Sequence, residues 1–213
     1  MDVVVTRFAN GNESGYEYRE TKCATTIFGT YNSIDFEKRL YPVHNWVEHG
    51  MIACVWGKGY KRKIFDDLRF EGRYSEDDRF IDELNSRNYL IKVIDEIGYV
   101  YCYNPNSLIH NKDNQHRTDF LDILIRRLEL FSDDSFIVEN TSKLFCNLYI
   151  EYYYGIGKAN RDLITEYMKG FNSCLKLLQT RKTDDKKFLL RMAIFRISPI
   201  LYKTITSITS SIK

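Results

Sequence analysis

The chain lacks any apolar run of the roughly twenty residues that a bilayer-crossing helix needs. No basic and apolar leader opens it, so a secretory signal is not expected. Its five cysteines, Cys23, Cys54, Cys102, Cys146 and Cys174, are scattered, odd in number and never spaced C-x-x-C. That argues against a disulfide framework or a zinc ribbon, and for a reducing, cytoplasmic setting. Histidines number only four. His44 and His49 stand near Glu48, but their spacing misses the helical zinc patterns and no third ligand accompanies them, so no metal site is expected in this chain. Phosphate-cradling glycine loops, internal repeats and low-complexity linkers are missing as well.

What is present reads as a globular protein. At 213 residues the chain suits one domain, or one domain with a helical appendage. Aromatic content is high, with 16 Tyr and 13 Phe. Such rings fill cores, and they also stack on the faces of sugars. The net charge of +2 hides an asymmetry, because residues 181–213 carry eight basic side chains against Asp184 and Asp185. The body is therefore mildly acidic and the tail basic. A general nucleic-acid binder is not expected, and the tail calls for an anionic partner of its own.

Residues 2–5 (Asp-Val-Val-Val) read as a strand, and 9–22 as a loop or loose hairpin. Ser33 opens a short helix as its cap, with Asp35 and Glu37 near the positive end. Phe36 and Leu40 form its buried face, with Trp46 a further candidate. Ser75-x-x-Asp78 fits a capping box opening a helix to about Asn88, striped by Phe80, Ile81 and Leu84. Residues 89–94 and 99–103 read as two strands around Glu96-Ile97-Gly98. Residues 111–116 read as a polar loop; His110 and His116 at its two ends are candidates to touch a ligand, with ordinary surface histidines the leading alternative. Helices follow over 118–131, from Ser135 to about Tyr154, and along a stripe from Ile164 to Leu178, with Gly155-Ile156-Gly157 as a break.

The most informative stretch is residues 53–80. Trp56 precedes a Gly-Lys-Gly-Tyr turn carrying Lys58, Lys61, Arg62 and Lys63, and Glu76-Asp77-Asp78 follows about twenty residues later. Cations at a glycine-broken turn suit a phosphate-bearing ligand. Acids at a helix start suit a general base, although they also satisfy the helix dipole with no further role. Likewise, four cations in a row also make an ordinary solvated face.

The order Trp56-Gly57-Lys58-Gly59-Tyr60-Lys61-Arg62, Phe65, Phe70-Glu71-Gly72 and Glu76-Asp77-Asp78-Arg79-Phe80 resembles the acceptor-side half of family 2 glycosyltransferases. Tyr99-Val100-Tyr101-Cys102-Tyr103 and Asn106-Ser107-Leu108-Ile109 continue the likeness, which covers about residues 1–110. Gly59 stands where that family usually has Leu. The resemblance implies an α/β architecture: the C-terminal half of a GT-A, Rossmann-like fold over 1–112, then an α-helical layer over 113–213. It implies Asp77 as the general base beside Glu76. Trp56, Lys58, Tyr60, Lys61, Arg62 and Asp78 would line the substrate. The family's nucleotide-binding half, with its D-x-D metal motif, would lie before Val3. Nucleotide-sugar binding and a divalent metal, Mg or Mn, are then expected only where that half is present.

Two functions follow. One is sugar transfer from a nucleotide sugar to a surface-polysaccharide or lipid-linked acceptor. The other is a catalytically inactive remnant acting as a membrane-associated interaction protein. Residues 186–213 alternate apolar side chains with Lys187, Arg191 and Arg196. They read either as helices packed on the preceding ones or as a peripheral seat on an anionic membrane face.

Overall fold

The computed structural model describes residues 1–12, 18–23, 25–41, 46–72, 75–102, 104, 114–159, 161–181 and 183–210. The chain is mixed α/β and divides into two compact units, residues 1–123 with 129–131, and residues 124–128 with 132–213. The helix α5 (Asn114–Leu130) contributes residues to both.

The first unit is built on five described strands, β1 (Val3–Gly11), β2 (Tyr18–Glu20), β3 (Gly29–Asn32), β4 (Lys58–Tyr60) and β5 (Leu90–Cys102). Their order is β2-β1-β5-β3, with β4 also on β1. One edge of β1 is shared end to end: Val3–Val5 run antiparallel to β4, and Ala9–Gly11 antiparallel to β2. The other edge is parallel to β5, whose first half is closed by antiparallel β3. The loose hairpin of 9–22 is thus a real pairing of β1 with β2, and residues 13–17 lie outside the described ones.

β5 is one strand of 13 residues, where the sequence suggests two. The pairing explains the difference. Val5 faces Val93, Arg7 faces Ile97 and Phe8 faces Tyr99, so β5 advances further than β1 and carries extra residues across Ile94–Gly98. A bulge of this kind breaks the alternation without breaking the strand. Arg7 Nε meets Asp95 Oδ1 at 2.6 Å there. Gly98 lies so close to Thr6 that a Cβ would come within 2.6 Å of Thr6 Oγ1.

Helices α1 (Ser33–Lys38), α2 (Trp46–Ala53), α3 (Ile64–Asp67) and α4 (Glu76–Asn85) complete this unit. The cap of α1 is Asn32, not Ser33: the Asn32 side chain accepts the Asp35 N–H at 2.8 Å. Ser33 is instead fully buried and used between helices, its hydroxyl donating to Asn85 O at 2.8 Å and accepting the Tyr89 N–H at 3.1 Å. Beside it the fully buried Asn85 donates from Nδ2 to Glu37 Oε2 at 2.8 Å. Phe36 is buried as expected, whereas Trp46 is 47% exposed.

The second unit holds α6 (Ser135–Ala159), α7 (Arg161–Thr180), α8 (Lys186–Ile197) and α9 (Pro199–Ser210). Asp134 opens α6 by accepting the N–H groups of Phe136 and Ile137, each at 3.1 Å. The expected break at residues 155–157 is absent, and α6 runs through to Ala159. Gly155 and Gly157 each cost about 1 kcal/mol relative to alanine in a helix, a penalty that packing can offset. Helices α6 and α7 are antiparallel: Tyr149 donates to Ile164 O at 3.1 Å, and Thr183 near the far end reaches Glu139. Gly170 lets them meet, since a Cβ there would lie 2.9 Å from the Phe145 ring. Among the described residues no helix is long and apolar enough to cross a membrane.

The Glu37–Asn85 bond sits where neither group reaches water, so truncating one partner strands the other. Asn85→Ala is expected to lower stability by roughly 2 kcal/mol, read as an earlier midpoint in urea unfolding.

Candidate functional site

The site grows from the turn that joins α2 to β4. Gly57 takes a left-handed φ of 68°. This turn aims its carbonyl at β1, where it accepts both the backbone N–H and the hydroxyl of Thr6 at 2.9 Å. β4 then pairs with Val3–Val5, which puts Lys58 and Tyr60 on the face where Val5 and Val3 are buried. Both side chains fold back onto the turn. Lys58 Nζ donates to Cys54 O, and the Tyr60 hydroxyl donates to Val55 O at 3.0 Å. Tyr60 is held edge-on to Phe65 and Phe80, each with ring centres 5.7 Å away.

Asp77 stands in the first turn of α4, half-buried, and shares charge interactions with Lys58, Cys54 and Tyr60. Loss of water raises its carboxyl above the ordinary range, and Glu76 adds to the rise. The Asp78 N–H, donated to Asp77 Oδ1 at 3.0 Å, and the Lys58 cation oppose it. Burial also pulls Lys58 down to about 8, against the pull of Asp77. The Cys54 thiol is pushed up to about 12 by burial, with the Asp77 charge adding. The Tyr60 phenol is raised for the same two reasons, burial and then neighbouring charge.

The capping box expected at Ser75 is not formed. Ser75 has φ 53° and makes no side-chain cap bond, because the left-handed backbone carries its hydroxyl away from the helix N–H groups. The Asp77 carboxylate takes the Asp78 N–H instead. Glu76 points to solvent and Asp78 is half-buried.

The four cations of the turn separate. Lys61 and Lys63 reach Asp2 Oδ1 at 3.4 and 3.1 Å. Asp2 Oδ2 also accepts the Leu90 N–H at 3.1 Å, and these contacts hold its carboxyl down to about 2. Arg62 is exposed. Only Lys58 turns toward Asp77.

Trp56 anchors an aromatic surface. It stacks on Tyr99 with ring centres 5.1 Å apart, tilts over Tyr101 at 5.3 Å and meets the buried Phe8 edge-on at 4.8 Å. Trp46 closes the group, 6.3 Å from Trp56 and 5.6 Å from Tyr101. Trp46 and Tyr99 keep 47% and 37% of their surface exposed. The tyrosines at positions 99 and 101 of β5 point to part of this surface in sequence, whereas Trp46 reads there as a candidate for a buried face and Phe8 carries no signal. Gly50 makes the closeness possible, since a Cβ there would lie 2.8 Å from Trp56 Cη2.

A separate polar hollow is lined by Thr26, Asp35, Lys38, Arg39 and Glu48. Its charges are engaged locally: Lys38 meets Asp35 at 3.5 Å and Arg39 donates to Thr26 O at 2.6 Å. Among the described residues no three His, Cys, Asp or Glu side chains are grouped to hold a metal ion. His44, His110, Tyr103 and residues 106–109 lie outside the described residues, as does the side chain of His116. Compared with known proteins, the chain matches no family model and no curated protein.

The glycines of this region divide sharply. A Cβ at Gly50 or Gly98 meets Trp56 or Thr6 below 3.0 Å, whereas one at Gly59 meets nothing within 4 Å. Gly98→Ala and Gly50→Ala are each expected to destabilise by about 1–3 kcal/mol, and Gly59→Ala to leave the melting temperature unchanged or slightly raised. Thermal unfolding of the three variants checks this.

Proposed function

We propose that this segment is the acceptor side of a sugar-transferring enzyme, with Asp77 as general base. The observation that carries the reading is one half-buried carboxylate, raised by loss of water, at a helix start beside Lys58. The aromatic surface of Trp56, Tyr99 and Trp46 supports it. Aromatic faces favour the C–H faces of pyranose rings, and Trp46 and Tyr99 present theirs to solvent. The residue order of the turn and the acidic triplet, similar to family 2 glycosyltransferases, points the same way.

In this reading an acceptor hydroxyl gives its proton to an Asp77 oxygen as its own oxygen attacks the anomeric carbon of the donor. The bond from that carbon to the nucleoside diphosphate breaks, and the diphosphate leaves with the electron pair. Lys58 steadies the ionised form of Asp77 before the proton arrives. The Cys54 carbonyl, accepting from Lys58 Nζ, holds Lys58 in place. In this reading the donor nucleotide, and any divalent metal on its diphosphate, are held by residues other than these; among the described residues no three His, Cys, Asp or Glu side chains are grouped to hold a metal ion. The acceptor class is a saccharide, on a polysaccharide or a lipid carrier.

The test uses a protein carrying this segment beside a donor-binding half. Asp77→Asn is expected to lower kcat by on the order of a hundredfold or more, with the melting temperature unchanged, and Glu76→Gln to hurt less. The rate should rise with pH as Asp77 ionises, above the usual carboxylate range near about 4. It should fall again near pH 8, where Lys58 loses its proton. A normal rate in Asp77→Asn would reject the assignment.

A further inference from the structure

We infer that the outward face of α8 and α9 is a docking surface for an anionic lipid layer. Leu190, Ile197, Ile200 and Leu201 enter the headgroup region there, and Lys186, Lys187 and Arg196 rest on its negative charge. This inference is independent of the transfer reaction.

The helix α8 is apolar on two opposite sides. Phe188, Met192 and Phe195 are buried, and Phe195 meets Phe171 and Tyr202 with ring centres 5.4 and 5.5 Å away. At about 100° per residue, Leu190 and Ile197 fall on the side away from these three. They are 63% and 81% exposed. The pattern continues past Ser198 into α9. There Tyr202 is buried and accepts a hydrogen bond from Arg191 Nη2 at 3.1 Å, while Ile200, Leu201 and Ile205 are 79%, 49% and 38% exposed. Internal packing therefore uses one face of this helix pair and leaves four large aliphatic side chains, Leu190, Ile197, Ile200 and Leu201, largely exposed. Scattered aliphatics are ordinary on a surface, but a run of this kind marks an interaction site.

Charge selects the occupant. Residues 186–210 carry Lys186, Lys187, Arg191, Arg196 and Lys203 and no acid. The first four and Lys203 are all exposed. A second copy of the chain would bring the same cations against these, since a twofold contact pairs a patch with itself. An anionic bilayer surface satisfies both features at once, taking the aliphatics into its outer layer and the cations at its headgroups. No described helix is long and apolar enough to cross, so the pair lies along the surface.

The full chain is sedimented with vesicles of phosphatidylcholine alone and of phosphatidylcholine with phosphatidylglycerol, at low and physiological salt. Binding to the anionic vesicles is expected to be at least ~10-fold tighter than to the neutral ones and to weaken with salt. Lys187→Gln with Arg196→Gln should weaken it by roughly fivefold per charge. Ile197→Ser with Ile200→Ser should weaken it on the order of tenfold or more. Both pairs are exposed, so circular dichroism and melting should not change. No vesicle binding, equal binding to both compositions, or binding indifferent to the variants would each overturn the inference. So would a dimer on size exclusion that Ile197→Ser abolishes, or capture by polyglutamate in place of vesicles.

Discussion

The first unit hangs on β1, because one strand of nine residues is the partner of three others. Its start pairs with β4, its end with β2, and its whole other edge with β5. A clamp closes the start: Asp2 exchanges bonds with Leu90 through both backbone and side chain, and Lys61 and Lys63 meet its carboxylate. A latch closes the middle, where Thr6 holds Gly57. Together they determine where the turn carrying Trp56 and Lys58 stands. Two of the cations that look like ligand-binding groups are thus spent on strand placement, Arg62 faces solvent, and Lys58 is the one beside Asp77.

Periodicity carried most of the fold. The β-branched run at Val3–Val5, the stripe Phe80, Ile81 and Leu84, and the long stripe of α7 are each one-dimensional patterns that tertiary packing had no reason to override. The misses share a cause: they depend on partners distant in sequence. The two halves of β5 are one strand only because β1 lies alongside and tolerates a bulge. The cap of α1 is Asn32 because Ser33 is needed by Asn85, 52 residues away. Ser75 looks like a cap by composition, and only its positive φ shows that it is not one. At the site, the acidic triplet and the turn were legible as residue types. Trp46, a candidate for a buried face in sequence, instead stands half-exposed against Phe8 and Trp56 at the start of α2, contacts that no local pattern announces.

The ionisable groups beside the turn explain why proximity of opposite charges does not by itself make a stabilising pair. Burial acts on both Lys58 and Asp77 against their charged forms, and their mutual attraction only partly offsets it. The carboxyl is raised and the ammonium lowered, so their titrations approach each other from the two ends of the pH scale. In a purely structural ion pair the shifts run the other way, as at Asp2, whose exposed lysines and backbone donor hold it ionised. The same chain therefore contains one carboxyl that its partners hold ionised and one that burial raises. What separates them is solvent: Asp2 meets its cations at the edge of the sheet, where water shares the charge, and Asp77 meets its cation on the covered face.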